Sequence, residues 1–395
     1  MEHRATRYLE QIITTDALAQ NKMAFISGPR QVGKSTLAKS ILKQQLENYF
    51  LYEHEEFRRA WSKSPESAIA TRSSNTIVLD EIHKDRLWKR KLKGLYDQHG
   101  EKIKFIVTGS ARLDLYKKGS DSLLGRYLPY RLHPLTVAET NNPISVKELF
   151  TRSNLKYPLE DLLNLGGFPE PLLTGKHELA ARWSRLRLDQ LIIGDSRDIL
   201  NISDIQAFGV LADLLPLRVG SLLSIEALRE DVGKAYATVR SWAQVLETLY
   251  YSFTIKPWAQ KIARSLKAQP KLYLYDILRI PQGNTSQRLE NLTALHLLKL
   301  CNYWTDTAQG EFNLHFIRDK QDREVDFIIV KDKQPWMLIE CKSNTTSPAK
   351  NLLYFKNLLN PQYSLQLVTA KNFDRKLAEQ GVRIVSYEKF FSELI

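Results

Sequence analysis

The sequence predicts an α/β protein in three parts: a parallel sheet covered by helices, a helical middle region and a mixed α/β C-terminal region. Three short apolar runs, separated by stretches of helical spacing, predict buried parallel strands at Met23–Ser27, Thr76–Leu79 and Lys104–Val107. Near Pro158 the pattern changes to helices, and strands alternate with helices again in the last third. We therefore expect domains at residues 1–150, 151–262 and 263–395.

The composition is that of a globular protein of several domains. The chain has 395 residues, a length that exceeds what one ordinary hydrophobic core can hold. Its composition, 43% hydrophobic and 26% charged, argues against disorder. No apolar run approaches the ~18 residues needed to span a bilayer. The N-terminus, MEHRATRYLEQ, lacks the apolar core of a secretory signal, and the two cysteines, Cys301 and Cys341, provide no disulfide framework. We expect a cytoplasmic protein without membrane contact.

The positive charge is unevenly distributed. The formal net charge is +13, and the three predicted domains carry +8, 0 and +5 in chain order. A basic balance favours polyanions, of which nucleic acid is the commonest. DNA is therefore one candidate partner, and an ordinary soluble basic surface is the alternative.

A glycine-bounded motif follows the first predicted strand. Residues 28–35, GPRQVGKS, match G-x-x-x-x-G-K-[ST] between an apolar strand and a stretch of helical spacing. In such a loop the main-chain amides bind phosphates. We expect the Lys34 ammonium to bind phosphates as well, and the Ser35 hydroxyl to bind Mg²⁺. The predicted nucleotide-binding residues are Gly28, Pro29, Arg30, Gln31, Val32, Gly33, Lys34, Ser35, Thr36 and Asp80.

The next two predicted strands also end in polar residues. The apolar run Ile77–Leu79 is followed by Asp80 and Glu81. We expect Asp80 to hold Mg²⁺ and Glu81 to polarise the attacking water as general base. The third strand ends in Thr108-Gly109-Ser110, where either hydroxyl could contact the γ-phosphate, although this is also ordinary turn chemistry. An acid pair with a glutamate favours hydrolysis over nucleotide storage.

Two further segments are compatible with nucleic-acid binding. Lys84–Lys93 is basic and contains Trp88, but its apolar spacing favours a helix face with Leu87, Trp88, Leu92 and Leu95 packed inward. Leu222–Tyr251, followed by a possible wing strand at Thr254–Lys256, has helix-turn-helix spacing, with a cap at Ser224 and a second helix near Ala235. The surrounding domain has no net charge, which weakens that interpretation, and a rigid spacer is the alternative.

The C-terminal region carries acidic residues on neighbouring predicted strands. Asp326 begins one strand, and Glu340 and Lys342 share one face of the next because strand side chains alternate. Two carboxylates and a lysine at this spacing suit a Mg²⁺-dependent phosphodiesterase, with Asp326 and Glu340 as metal ligands and Lys342 acting on the water. Glu290, on a predicted helix, is a further candidate acid. An inactive binding module is the alternative.

The order of these motifs resembles a bacterial and archaeal family of AAA-type ATPases whose members carry a C-terminal domain of unknown function. The similarity runs through GPRQVGKST, LDEI, TGSA, Gly125-Arg126 with LHPLTVAE, GGFPEPLL, RDIL, TVRSW and PKLYLYD, and so covers nearly the whole chain. The C-terminal pattern resembles the PD-(D/E)xK restriction-endonuclease-like superfamily, with Asp326, Glu340 and Lys342 on its core positions.

The resemblance implies several roles that the spacing alone does not. It implies ATP as the nucleotide, and Ser110 as the sensor because Ala111 replaces the family's second serine. It places Arg126 as an arginine that contacts the γ-phosphate of a neighbouring subunit, which would require a homo-oligomer, whereas a structural ion pair is the alternative. It also implies that Pro169 contacts adenine.

Three hypotheses for function follow. The leading one is a Mg²⁺-dependent ATP hydrolase whose nucleotide state controls a C-terminal nuclease-like module acting on DNA. The second is an ATP-gated, metal-dependent nuclease. The third is a slow ATP-dependent switch that recruits a protein or nucleic-acid partner without cleaving it.

Overall fold

The computed structural model describes residues 5, 7–109, 123–195, 204–259, 268–344 and 347–395. They form two compact units. The N-terminal unit comprises Met1–Pro134 with Thr140–Asn142, and the C-terminal unit comprises Leu135–Glu139 with Pro143–Ile395. The predicted second and third domains thus fall within one unit.

The N-terminal unit is built on a five-stranded, entirely parallel sheet with the order β2-β3-β4-β1-β5. Its strands are β1 (Met23–Ser27), β2 (Tyr49–Leu51), β3 (Thr76–Asp80), β4 (Lys104–Thr108) and β5 (Tyr127–Arg131). The three central strands confirm the predicted parallel sheet, since β1, β3 and β4 are the apolar runs. The sequence pattern missed β2, which has three residues, and β5, which is only half-buried.

Helices cover this sheet and contribute to its core. They are α1 (Glu10–Thr15), α2 (Lys34–Leu42), α3 (Glu55–Lys63), α4 (Pro65–Ala68) and α5 (Trp88–His99). In α5, Trp88, Leu92 and Leu95 are buried in the core, as their helical spacing predicts. Leu87 was predicted to pack inward, but it precedes the helix and is 56% exposed.

The first half of the C-terminal unit is helical. Its helices are α6 (Leu159–Leu165), α7 (Pro169–Thr174), α8 (His177–Gln190), α9 (Ile205–Leu214), α10 (Ile225–Val232) and α11 (Tyr236–Thr248). The Ser224 hydroxyl accepts a hydrogen bond from the Ala227 N–H, so the predicted cap is present, and α11 begins after Ala235. Helix α8 ends at Gln190 and is followed by a π turn over Leu191–Asp195.

The second half forms an eight-stranded mixed sheet with the order β12-β13-β11-β10-β9-β8-β6-β7. The strands are β6 (Ser252–Pro257), β7 (Lys271–Leu274), β8 (Phe312–Arg318), β9 (Glu324–Lys331), β10 (Gln334–Cys341), β11 (Tyr363–Val368), β12 (Asp374–Leu377) and β13 (Val382–Ser386). The helices are α12 (Thr285–Asp306), α13 (Lys350–Leu359) and α14 (Tyr387–Ser392).

Strand pairing explains why the predicted boundary at residue 262 does not separate two compact units. Strand β6 lies before that boundary, yet it pairs with β7 and β8, which lie after it. Strands β8, β9 and β10 are antiparallel neighbours, and β11 runs parallel to β10 after the crossover helix α13. Within the described ranges, the helices are too short or too polar to cross a membrane.

Candidate functional sites

The loop between β1 and α2 depends on its two glycines. Gly28 has a φ of +148°, and a Cβ atom there would lie 2.3 Å from the Leu132 carbonyl oxygen. Gly33, which precedes α2, has a φ of +97°. Both angles disfavour residues with a side chain, so the backbone geometry itself requires glycine at the two ends of the motif.

Lys34 is folded over this loop. Its side chain is buried, and its ammonium group donates hydrogen bonds to the carbonyl oxygens of Gly28 at 3.0 Å and Pro29 at 2.7 Å. These acceptors are neutral, so the positive charge of Lys34 is held at the loop without being cancelled by them. A triphosphate bound by the loop would meet this charge together with the N-terminus of α2.

Asp80 lies at the end of β3 and is almost fully buried. The Ser35 hydroxyl donates to Asp80 Oδ2 at 2.7 Å, and the Thr108 hydroxyl donates to Asp80 Oδ1. The Tyr49 hydroxyl also donates to Oδ2, and burial together with the Asp80 charge raises the pKa of Tyr49. The structure thus brings together Ser35, Asp80 and Thr108, which were predicted from separate motifs, and adds Tyr49, which was not.

Glu81 follows Asp80 with a left-handed backbone, at a φ of +55°. Its Oε2 atom is buried and makes no hydrogen bond to any residue in the described parts of the chain, although His83 Nε2 and Lys84 Nζ each lie 3.6 Å away. Burial raises the pKa of Glu81, and the charges of Lys34 and Lys84 oppose that rise. A half-buried acid with an unsatisfied oxygen suits a group that accepts a proton from water.

The remaining predicted residues of the nucleotide site have separate surroundings. Arg126 forms an ion pair with Asp97, with Nε 2.7 Å from Oδ1, which is the structural alternative considered for it. Ser110 and Ala111 lie outside the described residues. Pro169 begins α7 in the C-terminal unit. Their predicted roles toward the nucleotide remain predictions.

The donor set at the loop fits Mg²⁺ with a triphosphate. The Ser35 hydroxyl and the Asp80 carboxylate are adjacent oxygen donors of the kind Mg²⁺ prefers, and the buried Lys34 ammonium lies in the same motif. Ser35 and Asp80 are therefore the residues that would hold the ion. The other loop residues, Arg30, Gln31, Val32 and Thr36, belong to the same turn and the first turn of α2.

The C-terminal unit brings the four predicted acidic-site residues into one cluster. The Asp326 N–H lies 3.4 Å from Glu340 Oε2, and the Cys341 N–H donates to Asp326 Oδ2 at 2.9 Å. Lys342 forms an ion pair with Glu340 at 2.7 Å, which confirms that the two side chains share a face. Glu290, on α12, accepts a hydrogen bond from the Tyr273 hydroxyl at 2.8 Å.

Lys271, which the motif search did not select, lies within this cluster. Its Nζ atom is 2.6 Å from Glu324 Oε1 and 3.6 Å from both Glu290 Oε1 and Asp326 Oδ1. The sequence contains a signal for it, because Lys271 opens the apolar strand KLYL just as Glu340 interrupts the apolar run of β10. A charge in a buried strand requires a partner, and this criterion would have found both residues.

The acidic cluster does not fit a metal ion in this arrangement. Three of its carboxylates face one ammonium group, and within the described parts of the chain no group of three or more His, Cys, Asp or Glu side chains is arranged to hold a metal. Burial and the Asp326 charge raise the pKa of Glu290 and of Glu340, each to about 7. The metal roles predicted for Asp326 and Glu340 remain predictions.

The parallel sheet, the glycine loop and the Ser35–Asp80 pair define a P-loop nucleotide-binding domain. In comparisons with known proteins, residues 20–141 match the family model described as AAA domain, so this part of the chain is an AAA-type P-loop ATPase domain. Residues 157–277 and 286–390 match two domains of unknown function, DUF8612 and DUF4143. The resemblance inferred from the N-terminal motifs is therefore confirmed for the ATPase domain, and the C-terminal part remains without an assigned function.

Two relatives that match most of the chain do not indicate an activity for it. Uncharacterized proteins of Mycobacterium bovis and Mycobacterium tuberculosis are each 23% identical to this chain over 356 residues, covering 85% of it and 74% of their own length. These relatives indicate neither a substrate nor a partner.

Solved structures with some likeness include a branch migration motor and a protein in complex with DNA. The RuvB Holliday junction branch migration motor of Thermotoga maritima is 16% identical with a TM-score of 0.30, covering 66% of this chain and 94% of its own. The Aeropyrum pernix ORC1 protein in complex with DNA is 14% identical with a TM-score of 0.33, covering 73% and 92%. At these scores the likeness carries no inference about this chain.

Proposed function

We propose that this chain binds ATP with Mg²⁺ and hydrolyses it at the loop between β1 and α2. The observation that carries the proposal is the Ser35–Asp80 hydrogen bond of 2.7 Å, which joins the two motifs that must share one metal ion. The buried Lys34 ammonium and the half-buried Glu81 carboxylate belong to the same two motifs. These four residues supply charge, metal donors and a base.

Each residue has a distinct role in this proposal. Lys34 exchanges its two carbonyl acceptors for phosphate oxygens, and Glu81 accepts the proton of the attacking water. Ser35 and Asp80 hold Mg²⁺, which, when bound, neutralises charge on the phosphates. Thr108 orients Asp80 through its hydroxyl group. Ser110, Arg126 and Pro169 stay candidates for contacts with the γ-phosphate, a neighbouring subunit's nucleotide and adenine.

Two substitutions test these roles separately. Lys34→Ala is expected to abolish both binding and turnover, because the ammonium group interacts with the phosphates in the bound state and in the transition state. Glu81→Gln is expected to bind ATP and not turn it over, because the amide keeps the size but cannot accept the proton. Calorimetry with Mg·ATP measures binding, and phosphate release measures turnover.

Lys102→Ala is the matched control, since Lys102 is an exposed lysine of the same unit. It should bind and hydrolyse ATP like the natural chain. Retained turnover in Lys34→Ala would reject the proposed site. Very slow turnover with tightly retained nucleotide in the natural chain would instead favour a switch that recruits a partner.

A second candidate function is favoured by the topology of the C-terminal sheet. Helix α12, the antiparallel strands β8, β9 and β10, the crossover helix α13 and the parallel strand β11 follow the order of a restriction-endonuclease-like core, with Asp326 and Glu340 on its two central strands. We therefore propose a nuclease-like module whose state depends on the ATPase site. Because the donors do not fit a metal as arranged, no cleavage step is derived for it.

Cleavage assays decide between an active and an inactive module. An active nuclease would cut DNA or RNA with Mg²⁺, with or without ATP, and Asp326→Ala or Lys342→Ala would remove that activity. Absence of cleavage on every substrate would support a non-cleaving module, for which DNA binding by the natural chain is the next measurement. Glu379→Gln, an exposed acid of the same unit, is the control.

The middle segment is proposed to be a winged helix. Helices α9, α10 and α11 are followed by the paired strands β6 and β7, and this is the order of elements in that fold. The segment carries no net charge, so we propose a spacer between the ATPase domain and the nuclease-like module in preference to a strong DNA reader. We propose 1–150, 151–262 and 263–395 as the functional segments, with the second wing strand, β7, supplied from beyond residue 262.

A further inference from the structure

The acidic cluster of the C-terminal unit encloses a lysine. Lys271 opens β7, and its side chain is only 5% exposed. Its ammonium group touches Glu324 and lies within 4 Å of Glu290 and Asp326, so one cation serves three carboxylates that come from α12 and β9. Carboxylates surround a bound cation in the same way, but here the cation is a lysine of the chain itself.

We propose that the Lys271 ammonium group is the resident cation of this cluster and excludes a divalent metal ion from it, so that the C-terminal module is assembled without metal. The proposal concerns a site that the ATPase function does not use. It also distinguishes an active nuclease module from a non-cleaving one, because a metal-dependent site would require the Lys271 ammonium group to move out of the cluster.

The charges in the cluster are already paired without a metal. Glu324 contacts both Lys271 and Arg318, whose Nη1 atom lies 3.2 Å from Glu324 Oε2, and Glu340 is paired with Lys342. Buried carboxylates need such partners, because the charged form is otherwise strongly disfavoured away from water. The attraction for an added divalent ion is correspondingly weak.

The surroundings fix both the lysine and its nearest acids. The Tyr273 hydroxyl, two residues along β7 from Lys271, donates to Glu290, and the Phe316 ring lies 5.5 Å from the Lys271 ammonium. Gly220 closes the other side, since a Cβ atom there would be 3.1 Å from both Glu290 carboxylate oxygens. Lys271 is therefore held by a packed strand, unlike a flexible surface lysine that happens to meet an acid.

Removing the ammonium group should create a metal site. Lys271→Met keeps the length and apolar character of the stem but leaves Glu290, Glu324 and Asp326 facing the position of the lost charge. Carboxylate oxygens converging on one point are the ligands that hard cations prefer. Terbium is a suitable probe because the Tyr273 hydroxyl is bonded to Glu290, so an ion held by Glu290 would lie close to a tyrosine that can sensitise its emission.

The experiment titrates the full-length chain with terbium and measures the sensitised emission. Lys271→Met is expected to bind at least tenfold more tightly than the natural chain and Lys271→Arg, and adding Glu290→Gln to Lys271→Met should remove the gain. Tyr49, beside Asp80, gives a separate signal that the Glu290→Gln change leaves unaltered. Terbium binding by the natural chain that Glu290→Gln abolishes would overturn the proposal, as would the absence of any gain in Lys271→Met.

A second measurement covers the case in which Lys271→Met does not fold. Hydrogen exchange of the natural chain in β9 and β10 is compared with Mg²⁺, with Mn²⁺ and with a chelator. The proposal predicts the same protection in all three conditions, because the lysine already fills the cluster. Added protection from either ion in these two strands would show that a metal enters, and the proposal would then be wrong.

Discussion

The two candidate sites of this chain contain the same ingredients in different arrangements. Each has one buried lysine close to carboxylates. At the P-loop the Lys34 ammonium is bonded to the neutral carbonyl groups of Gly28 and Pro29, and Asp80 accepts hydrogen bonds from hydroxyl groups. In the C-terminal cluster the Lys271 ammonium is bonded to the acids themselves.

This difference determines what each site can take up. The carbonyl groups that accept from Lys34 and the hydroxyl groups that donate to Asp80 carry no charge, so phosphate oxygens and a metal ion can replace them at little electrostatic cost. Acidic partners cancel the charge of Lys271, and any incoming cation must compete with an ammonium group that is already in place. What a lysine site can bind therefore depends on whether the partners of the ammonium group are neutral or negatively charged.

The same substitution at the two lysines should have different costs. Lys271→Met removes the cation from a buried cluster and is expected to destabilise the C-terminal unit by about 3–5 kcal/mol. Lys34→Met removes hydrogen bonds to two neutral carbonyls, at about 1 kcal/mol each, and should act mainly on nucleotide binding. Equilibrium unfolding in urea with pulsed hydrogen exchange separates the units, since β1 and β3 report on one and β9 and β10 on the other.

Equal losses of stability in Lys271→Met and Lys34→Met would contradict this argument, because they would mean that charged and neutral partners have the same effect. Lys271→Arg is the control for charge, because a guanidinium group keeps the cation while changing its shape. It should recover a large part of the stability that Lys271→Met loses.

The glycines beside the two sites provide a smaller test. Gly28→Ala would place a Cβ atom 2.3 Å from the Leu132 carbonyl oxygen at a φ of +148°, whereas Gly220→Ala would meet the carboxylate of Glu290 at 3.1 Å. Backbone strain costs about 1–3 kcal/mol in such conformations. We expect the larger loss at Gly28, together with loss of nucleotide binding, because a backbone carbonyl group cannot move aside as a side chain can.

Gly94→Ala is the matched control. Gly94 is exposed within α5, and among the described residues no atom beyond its chain neighbours and its own helix backbone lies within 4 Å of a Cβ atom built there. Alanine should stabilise that helix by up to about 1 kcal/mol. Urea unfolding of the three variants gives the order directly, and a larger loss at Gly220 than at Gly28 would contradict the geometric argument.

The sequence predicted several residues that the structure brings together at the P-loop, because its motifs are local. A glycine loop, a strand and a helix occupy neighbouring positions in the chain, so Lys34 and Ser35 follow from spacing alone. Asp80 and Thr108 were also found, since the ends of parallel strands meet at one edge of the sheet. Tyr49 was missed because it opens a strand of three residues whose apolar signal is too short to recognise.

The C-terminal cluster was only partly predicted because it is assembled from distant segments. Asp326, Glu340 and Lys342 were found on consecutive strands, and Glu290 was found from its helix. Lys271 comes from an edge strand whose place beside β6 depends on long-range pairing that spacing does not reveal. The predicted boundary at residue 262 failed to separate compact units for the same reason, because a strand before it joins a sheet formed by strands after it.

The pH dependence of the C-terminal cluster shows whether its buried acid is ionised in the folded chain. Burial raises the pKa of Glu340 from 4.5 to about 7, so between these values the folded chain retains a proton that the unfolded chain releases. Its stability should therefore fall as the pH rises through this window, by at most about 1.4 kcal/mol per pH unit, and the penalty is complete above it. Glu340→Gln, which cannot ionise, provides the reference. Urea unfolding with exchange pulses at one fixed pH should show the difference between natural chain and variant declining from pH 4.5 to 7 and constant above. A constant or rising difference would mean that the ammonium groups of the cluster keep Glu340 ionised throughout.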